Sequence, residues 1–198
     1  MAAYIYTPSI MTSLKATVQH YSNGKTVLIL FVITNLVYAY MLGISIPATM
    51  AYADGLKLLD MMPMGYSADY IQHLFTTLDD EGRAIYLWKQ IPADMLYPIL
   101  FAISNCLIMA YFLKKIKQFD SLLFFLCTLP IIAGIADYLE NISIISMLNS
   151  FPDLSSFTMK ASHLFTVVKS AATTVYFTAL LITIGMFGLQ VLLRKRKN

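Results

Sequence analysis

The sequence predicts an all-α, polytopic membrane protein built as a four-transmembrane-helix bundle. Hydrophobic residues make up 58% and charged residues only 13% of the 198 positions, whereas soluble domains carry about 45–50% apolar and about 25% charged residues. Four apolar segments also reach the roughly 20 residues that a helix needs to cross a hydrocarbon core. Because the rest of the chain is too short for a separate soluble domain, we expect a single membrane domain over residues 1–198.

The predicted spans cover residues 26–46, 95–113, 121–148 and 163–193. The third and fourth are longer than a bilayer requires, and polar residues interrupt one half of each. Residues 51–53, Ala-Tyr-Ala, resemble a signal-peptide cleavage site. The apolar run before them, however, exceeds the usual 7–15 or so residues and follows a long polar arm. We therefore expect the first span to remain as an anchor.

Positive charge is concentrated on one side of the predicted spans. Lys15 and Lys25 lie in the N-terminal arm, three lysines lie in the second connection, and RKRK lies near the C-terminus. The positive-inside bias therefore places both termini on the cytoplasmic side of a cell (inner) membrane. We interpret the RKRK run as a contact with anionic lipid, and we expect the lipid bilayer rather than a nucleic acid as its partner.

The first outer connection, residues 54–93, is too long for a simple loop and predicts an amphipathic cap. Ser67 is a candidate N-cap for a helix whose apolar residues recur at helical spacing: Tyr70, Ile71, Leu74, Phe75 and Leu78. We expect Gly82 to end this pattern, and a second short helix over 83–91 to end at Pro92. Both a cap resting on the bundle and a lid that gates a site fit this arrangement.

Polar residues from three spans are expected at one depth. With a rise of about 1.5 Å per residue, Asp94, Asp137, Glu140, Asn141 and Lys169 all reach the outer boundary of the hydrocarbon. Each helix gathers its polar residues on one side, which should face protein or water because a charge within lipid costs about 2.5–3.5 kcal/mol. We therefore expect an outward-facing polar pocket walled by the second, third and fourth spans.

Lys169 is the expected counter-ion of Asp137 or Glu140 in this pocket. We expect Arg83 and Tyr86 of the cap to close over it, and His163 to lie above Lys169 on the fourth span. Since the acids outnumber the lysine, a bound cation, a protonated ligand or protonation of one acid would each satisfy the charge balance. An ion pair that only fixes the bundle would explain the same residues.

Motifs for nucleotide binding, HExxH metal binding and GxSxG nucleophiles are missing from the sequence. The three histidines are dispersed, and no motif pairs a serine or cysteine nucleophile with a histidine base. We therefore expect no cofactor and no metal site, and we assign no catalytic residue.

Three stretches and one later residue together resemble a family of small prokaryotic four-span membrane proteins without an assigned activity: EGRAIY (81–86), DMLYPILFA (94–102), DYLEN (137–141) and Lys169. The resemblance covers roughly residues 65–175. It implies a shared outer-face group of residues but no reaction: Arg83, Tyr86, Asp94, Asp137, Glu140, Asn141 and Lys169.

The sequence leaves three classes of function open. The leading hypothesis is that the pocket binds or helps to transport a small polar ligand, a cation or a lipid headgroup. Transport would need a homo-oligomer, such as a dimer, or a large rearrangement. The first alternative is a membrane-embedded enzyme that uses a buried carboxylate as general acid or base on a lipid-like substrate. The second is a non-catalytic assembly subunit, for which a filled bundle and a broad exposed apolar patch on residues 61–91 are expected.

Overall fold

The protein is all-α, as predicted. The computed structural model describes residues 10–195, is 85% helical and contains no strand in this range. In chain order its helices are α1 (Ile10–Tyr21), α2 (Gly24–Met50), α3 (Ala68–Thr77), α4 (Asp79–Lys115), α5 (Leu122–Ser150) and α6 (Ser156–Lys195). Four of these described helices, α2, α4, α5 and α6, are long and apolar enough to cross a membrane.

The four long helices pack in an order that leaves one gap. α5 packs most extensively on α6 and then on α4, and α2 packs mainly against α4. Gly134 of α5 permits the close approach of α4, because a Cβ atom there would lie 2.9 Å from the carbonyl oxygen of Pro98 and 3.1 Å from Cβ of Ala102. Such contacts between small residues favour helix association in membranes. Since α2 has few contacts with α6, a cleft separates these two helices.

One end of the bundle, here called the basic end, carries the last residues of α4 and α6. The short helix α1, which the sequence analysis did not predict, packs there. Lys114 donates hydrogen bonds to the carbonyl oxygens of Gln19 and Ser22, both at 3.1 Å, and thereby satisfies carbonyl groups at the end of α1. An ion pair of 2.8 Å between Lys15 and Asp120 adds a second link.

The opposite end, here called the capped end, is covered by residues 51–78. The Ser67 side chain accepts a hydrogen bond of 3.1 Å from the backbone N–H of Tyr70, which confirms the predicted N-cap of α3. Fully buried apolar residues join this cap to α4 and α5 in one cluster: Leu58, Leu59, Ile71, Leu74, Phe75, Tyr86, Ile144 and Met147. The cap is therefore part of the core.

Helix α4 begins earlier than the sequence predicts. Neither Gly82 nor Pro92 ends a helix, so the expectation of a separate short helix over 83–91 is wrong. Gly82 is buried inside α4, where Tyr52 packs closely against it. A Cβ atom at this position would lie only 2.6 Å from Cβ of Tyr52, so glycine permits the contact. Pro92 follows a π-helical turn, Tyr86–Gln90, and occupies the first turn of the α-helical segment after it, where the missing N–H of proline is tolerated.

Candidate functional site

A cavity of about 510 Å³ lies between α2 and α6, below the cap. Its back wall is formed by α4 and α5, and α2 supplies a fourth wall that the sequence analysis did not assign. The charged residues of its lining are Asp60, Asp94, Asp137 and Lys169, and the remaining residues are Tyr38, Met41, Leu42, Ile46, Met61, Pro63, Tyr97, Phe101, Ala133, Ser170, Thr173 and Thr174. The cavity is therefore amphipathic, with acids on one part and apolar or small polar groups elsewhere.

Lys169 bridges two carboxylates of α5. Its Nζ lies 3.2 Å from Oδ1 of Asp137 and forms a second, shorter ion pair with Oε2 of Glu140. Glu140 is fully buried, whereas the side chains of Asp137 and Lys169 keep 16% and 17% of their surface exposed. Glu140 therefore anchors the lysine from behind, and Asp137 presents its charge to the cavity.

A buried hydroxyl network continues from Glu140 to the cap. The hydroxyl of Thr166 donates to Oε1 of Glu140 at 2.6 Å and lies 3.2 Å from the hydroxyl of Tyr66. The Tyr66 and Ser162 hydroxyl groups are 2.6 Å apart. Burial and the nearby charge of Glu140 raise the pKa of Tyr66, so its hydroxyl stays protonated. The network ties the cap to the Glu140–Lys169 pair.

A second network holds the other two acids. The Gln90 side-chain amide donates to Oδ2 of Asp94 at 2.8 Å, and the Tyr86 hydroxyl donates to Oδ1 of Asp60 at 3.1 Å. Asn141 donates to the backbone carbonyl oxygen of Asp94 at 2.9 Å. Burial raises the pKa of Asp60, and the nearby Glu140 adds to the rise while Lys169 opposes it.

Acceptors outnumber donors in this second network. Among the described residues, neither Asp60 nor Asp94 forms an ion pair within 4.0 Å. The side-chain oxygens of Gln90 and Asn141 are buried and have no hydrogen-bond partner in the same part of the chain. Because unpaired buried acceptors are costly, this region is suited to a group that carries donors or positive charge.

Two acids and the lysine of the cavity lie at one level of the bundle. Asp94, Asp137 and Lys169 are 13 to 15 residues from the ends of their helices at the capped end, or about 20 Å at about 1.5 Å per residue. Asp94 is 21 residues, about 30 Å, from Lys115 at the basic end. A hydrocarbon core of about 30 Å that begins at Lys115 would therefore end at the level of Asp94.

Six of the eight predicted site residues meet in this region. Asp94, Asp137 and Lys169 line the cavity, and Glu140, Asn141 and Tyr86 contact lining residues from behind.

The expectation that Arg83 closes over the pocket is wrong. Arg83 forms an ion pair with Asp80, donates to the carbonyl oxygen of Phe75 and lies 4.5 Å from the centre of the Phe151 ring. The guanidinium group is held by these partners, and Arg83 does not line the cavity. His163 does not line the cavity either, because its Nδ1 accepts a hydrogen bond of 3.1 Å from the N–H of Tyr66.

Sequence reasoning missed two residues of the second network, Asp60 and Gln90. Asp60 lies in the irregular part of the first connection, where nothing in the sequence indicates that the chain folds back. Gln90 is different, because it lies four residues before Asp94. Residues with this spacing share a helix face, so a continuous α4 would have predicted the contact.

No family model, no curated protein and no solved structure matches the chain. The resemblance to small prokaryotic four-span proteins stays a prediction.

Proposed function

We propose that this membrane protein binds a small ligand with a cationic group in the cavity between α2 and α6. The supporting observation is the charge imbalance of the lining. Three carboxylates, Asp60, Asp94 and Asp137, face one lysine, and that lysine is already shared with the buried Glu140. A positive group near Asp60 and Asp94 would balance their charge and supply donors to buried acceptors.

Aromatic rings add to the preference for a cation. The rings of Tyr38 and Tyr97 stack with their centres 5.4 Å apart, and the ring centres of Tyr97 and Phe101 are 5.8 Å apart. All three residues line the cavity. A quaternary ammonium or protonated amine is attracted to aromatic faces as well as to carboxylates, whereas an anion would be repelled by the three carboxylates of the lining.

Two observations favour binding over an assembly role and over transport. Large exposed hydrophobic side chains between residues 61 and 91 are limited to Met64 and Trp88, which is too few for the broad apolar patch expected of an assembly subunit. The cavity also ends in packed side chains, since Phe101, Ala133 and Ala172 form a buried cluster behind it. A binding site that opens on one side only fits this geometry better than a continuous transport path.

Ligands that share an octyl group but differ in the charge of the head test the proposal. We expect octyltrimethylammonium to bind the purified protein in maltoside micelles and to raise its thermal midpoint as the ligand concentration increases. Octyl sulfate and octanol should have no such effect. Asp94→Asn keeps the side-chain shape but removes the charge, so it should weaken binding at least roughly tenfold, the effect of about 1.4 kcal/mol.

The matched control is Asp153→Asn, which changes an exposed acid between α5 and α6 and should leave binding unchanged. Equal binding of octyl sulfate, or unchanged affinity in Asp94→Asn, would contradict the proposal.

A further inference from the structure

The mouth of the cavity opens sideways. Its exposed lining residues include Tyr38 and Leu42 of α2, which are 42% and 50% exposed, and Thr174 of α6. Both helices are long and apolar enough to span a membrane, and the cleft between them forms the opening. Leu42 is 18 residues from Gly24 at the basic end, or about 27 Å. The mouth therefore faces the hydrocarbon close to its rim rather than bulk water.

The lining changes from charged to uncharged with depth. Phe101 is seven residues closer to the basic end than Asp94, and Ala133 is four residues closer than Asp137. These separations correspond to about 10 Å and about 6 Å along the helices. On α2, Tyr38 lies one turn deeper than Leu42. The charged groups of the lining thus lie near the rim, and the deeper lining is uncharged, with Phe101, Ala133 and the hydroxyl groups of Thr173 and Thr174.

We infer that the ligand is an amphiphile dissolved in the membrane, with an amine or quaternary ammonium head and an alkyl chain. This inference rests on the proposed function, because it assumes the cationic group. The head lies among Asp60, Asp94 and Asp137 at the level of the lipid headgroups. The alkyl chain leaves through the cleft, where it lies against Leu42 and Tyr38. The charge of the lining selects the head, and the lateral mouth selects a molecule that arrives from the bilayer.

Two ammonium compounds that differ only in their alkyl chain separate the contribution of the alkyl chain from that of the head. The full-length protein is placed in nanodiscs of phosphatidylglycerol, a lipid that contains no amine. Binding of radiolabelled tetramethylammonium and decyltrimethylammonium is then measured, and the binding to empty nanodiscs is subtracted. We expect decyltrimethylammonium to bind at least roughly tenfold more tightly, because transfer of its apolar chain from water favours the membrane route.

Blocking the mouth separates site binding from simple partition into the bilayer. Leu42→Trp places a large ring in the cleft and should weaken decyltrimethylammonium binding at least about tenfold, an effect expected for a lost apolar contact and an obstructed site. Leu28→Trp changes another exposed leucine of α2, 62% exposed and outside the cavity lining, and should change binding less than about twofold, as surface substitutions do.

The outcomes distinguish the two proposals. Equal affinity for both compounds, or equal binding to Leu42→Trp and Leu28→Trp, would overturn the lateral route and leave the cationic site standing. Failure of both compounds to bind would overturn the cationic site itself. Weaker binding in Leu42→Trp together with a strong dependence on chain length would support both.

Discussion

Replacing Lys169 by methionine should strongly destabilise the protein. The substitution keeps much of the apolar stem but removes the charge that faces Asp137 at 3.2 Å and the fully buried Glu140. At an effective dielectric constant of about 20, one such contact is worth roughly 5 kcal/mol before desolvation is considered. Breaking a buried pair from one side typically costs about 3–5 kcal/mol. We expect the free energy of unfolding of K169M to fall by about 3 kcal/mol or more.

The assay is reversible unfolding in mixed micelles, with Lys160→Met as the control. Lys160 is exposed on the same helix, so its loss should cost less than about 0.5 kcal/mol. The double variant E140Q/K169M should recover much of the stability, because it removes both members of the buried pair. An unfolding free energy of K169M close to that of the unsubstituted protein, or a double variant less stable than K169M, would refute this reasoning.

Three further predictions follow from the packing and the second network. Gly134→Ala should cost about 1–3 kcal/mol of unfolding free energy because its Cβ would press on the carbonyl of Pro98, whereas Gly185→Ala, with open space around it, should be neutral in the same unfolding assay. The raised pKa of Asp60 stabilises the fold at low pH, and this stability is lost as pH rises from about 4 through the folded value. Asp60→Asn should therefore flatten the measured pH dependence of unfolding, and an unchanged slope would be inconsistent with a buried carboxyl. Tyr86→Phe removes the hydrogen bond to Asp60 and should cost about 1–2 kcal/mol, with a smaller cost in the Asp60→Asn background by double-mutant cycle.

Composition and depth account for most of what the sequence predicts correctly. Four long apolar segments can only be helices in lipid, and the helical rise brings Asp94, Asp137 and Lys169 to one level without knowledge of the packing. The rest depends on contacts between distant segments. Gly82 has the appearance of a helix breaker until Tyr52 is known to pack against it, and a π-helical turn before Pro92 has no clear sequence signal. Asp60 enters the site only because the irregular part of the cap folds back onto α4.

The loose attachment of α2 has a consequence for biosynthesis. Only 11% of its most apolar stretch is buried, compared with 56% for α4. The ribosome completes α2 well before α4, which is its main partner, so α2 must wait in the bilayer as a solitary segment. Its leucine- and isoleucine-rich surface makes that interval tolerable, since the only ionised group of α2, Lys25, lies at its basic end. The cavity between α2 and α6 can be enclosed only after α6, which follows α2, α4 and α5 in the chain, has packed against α5.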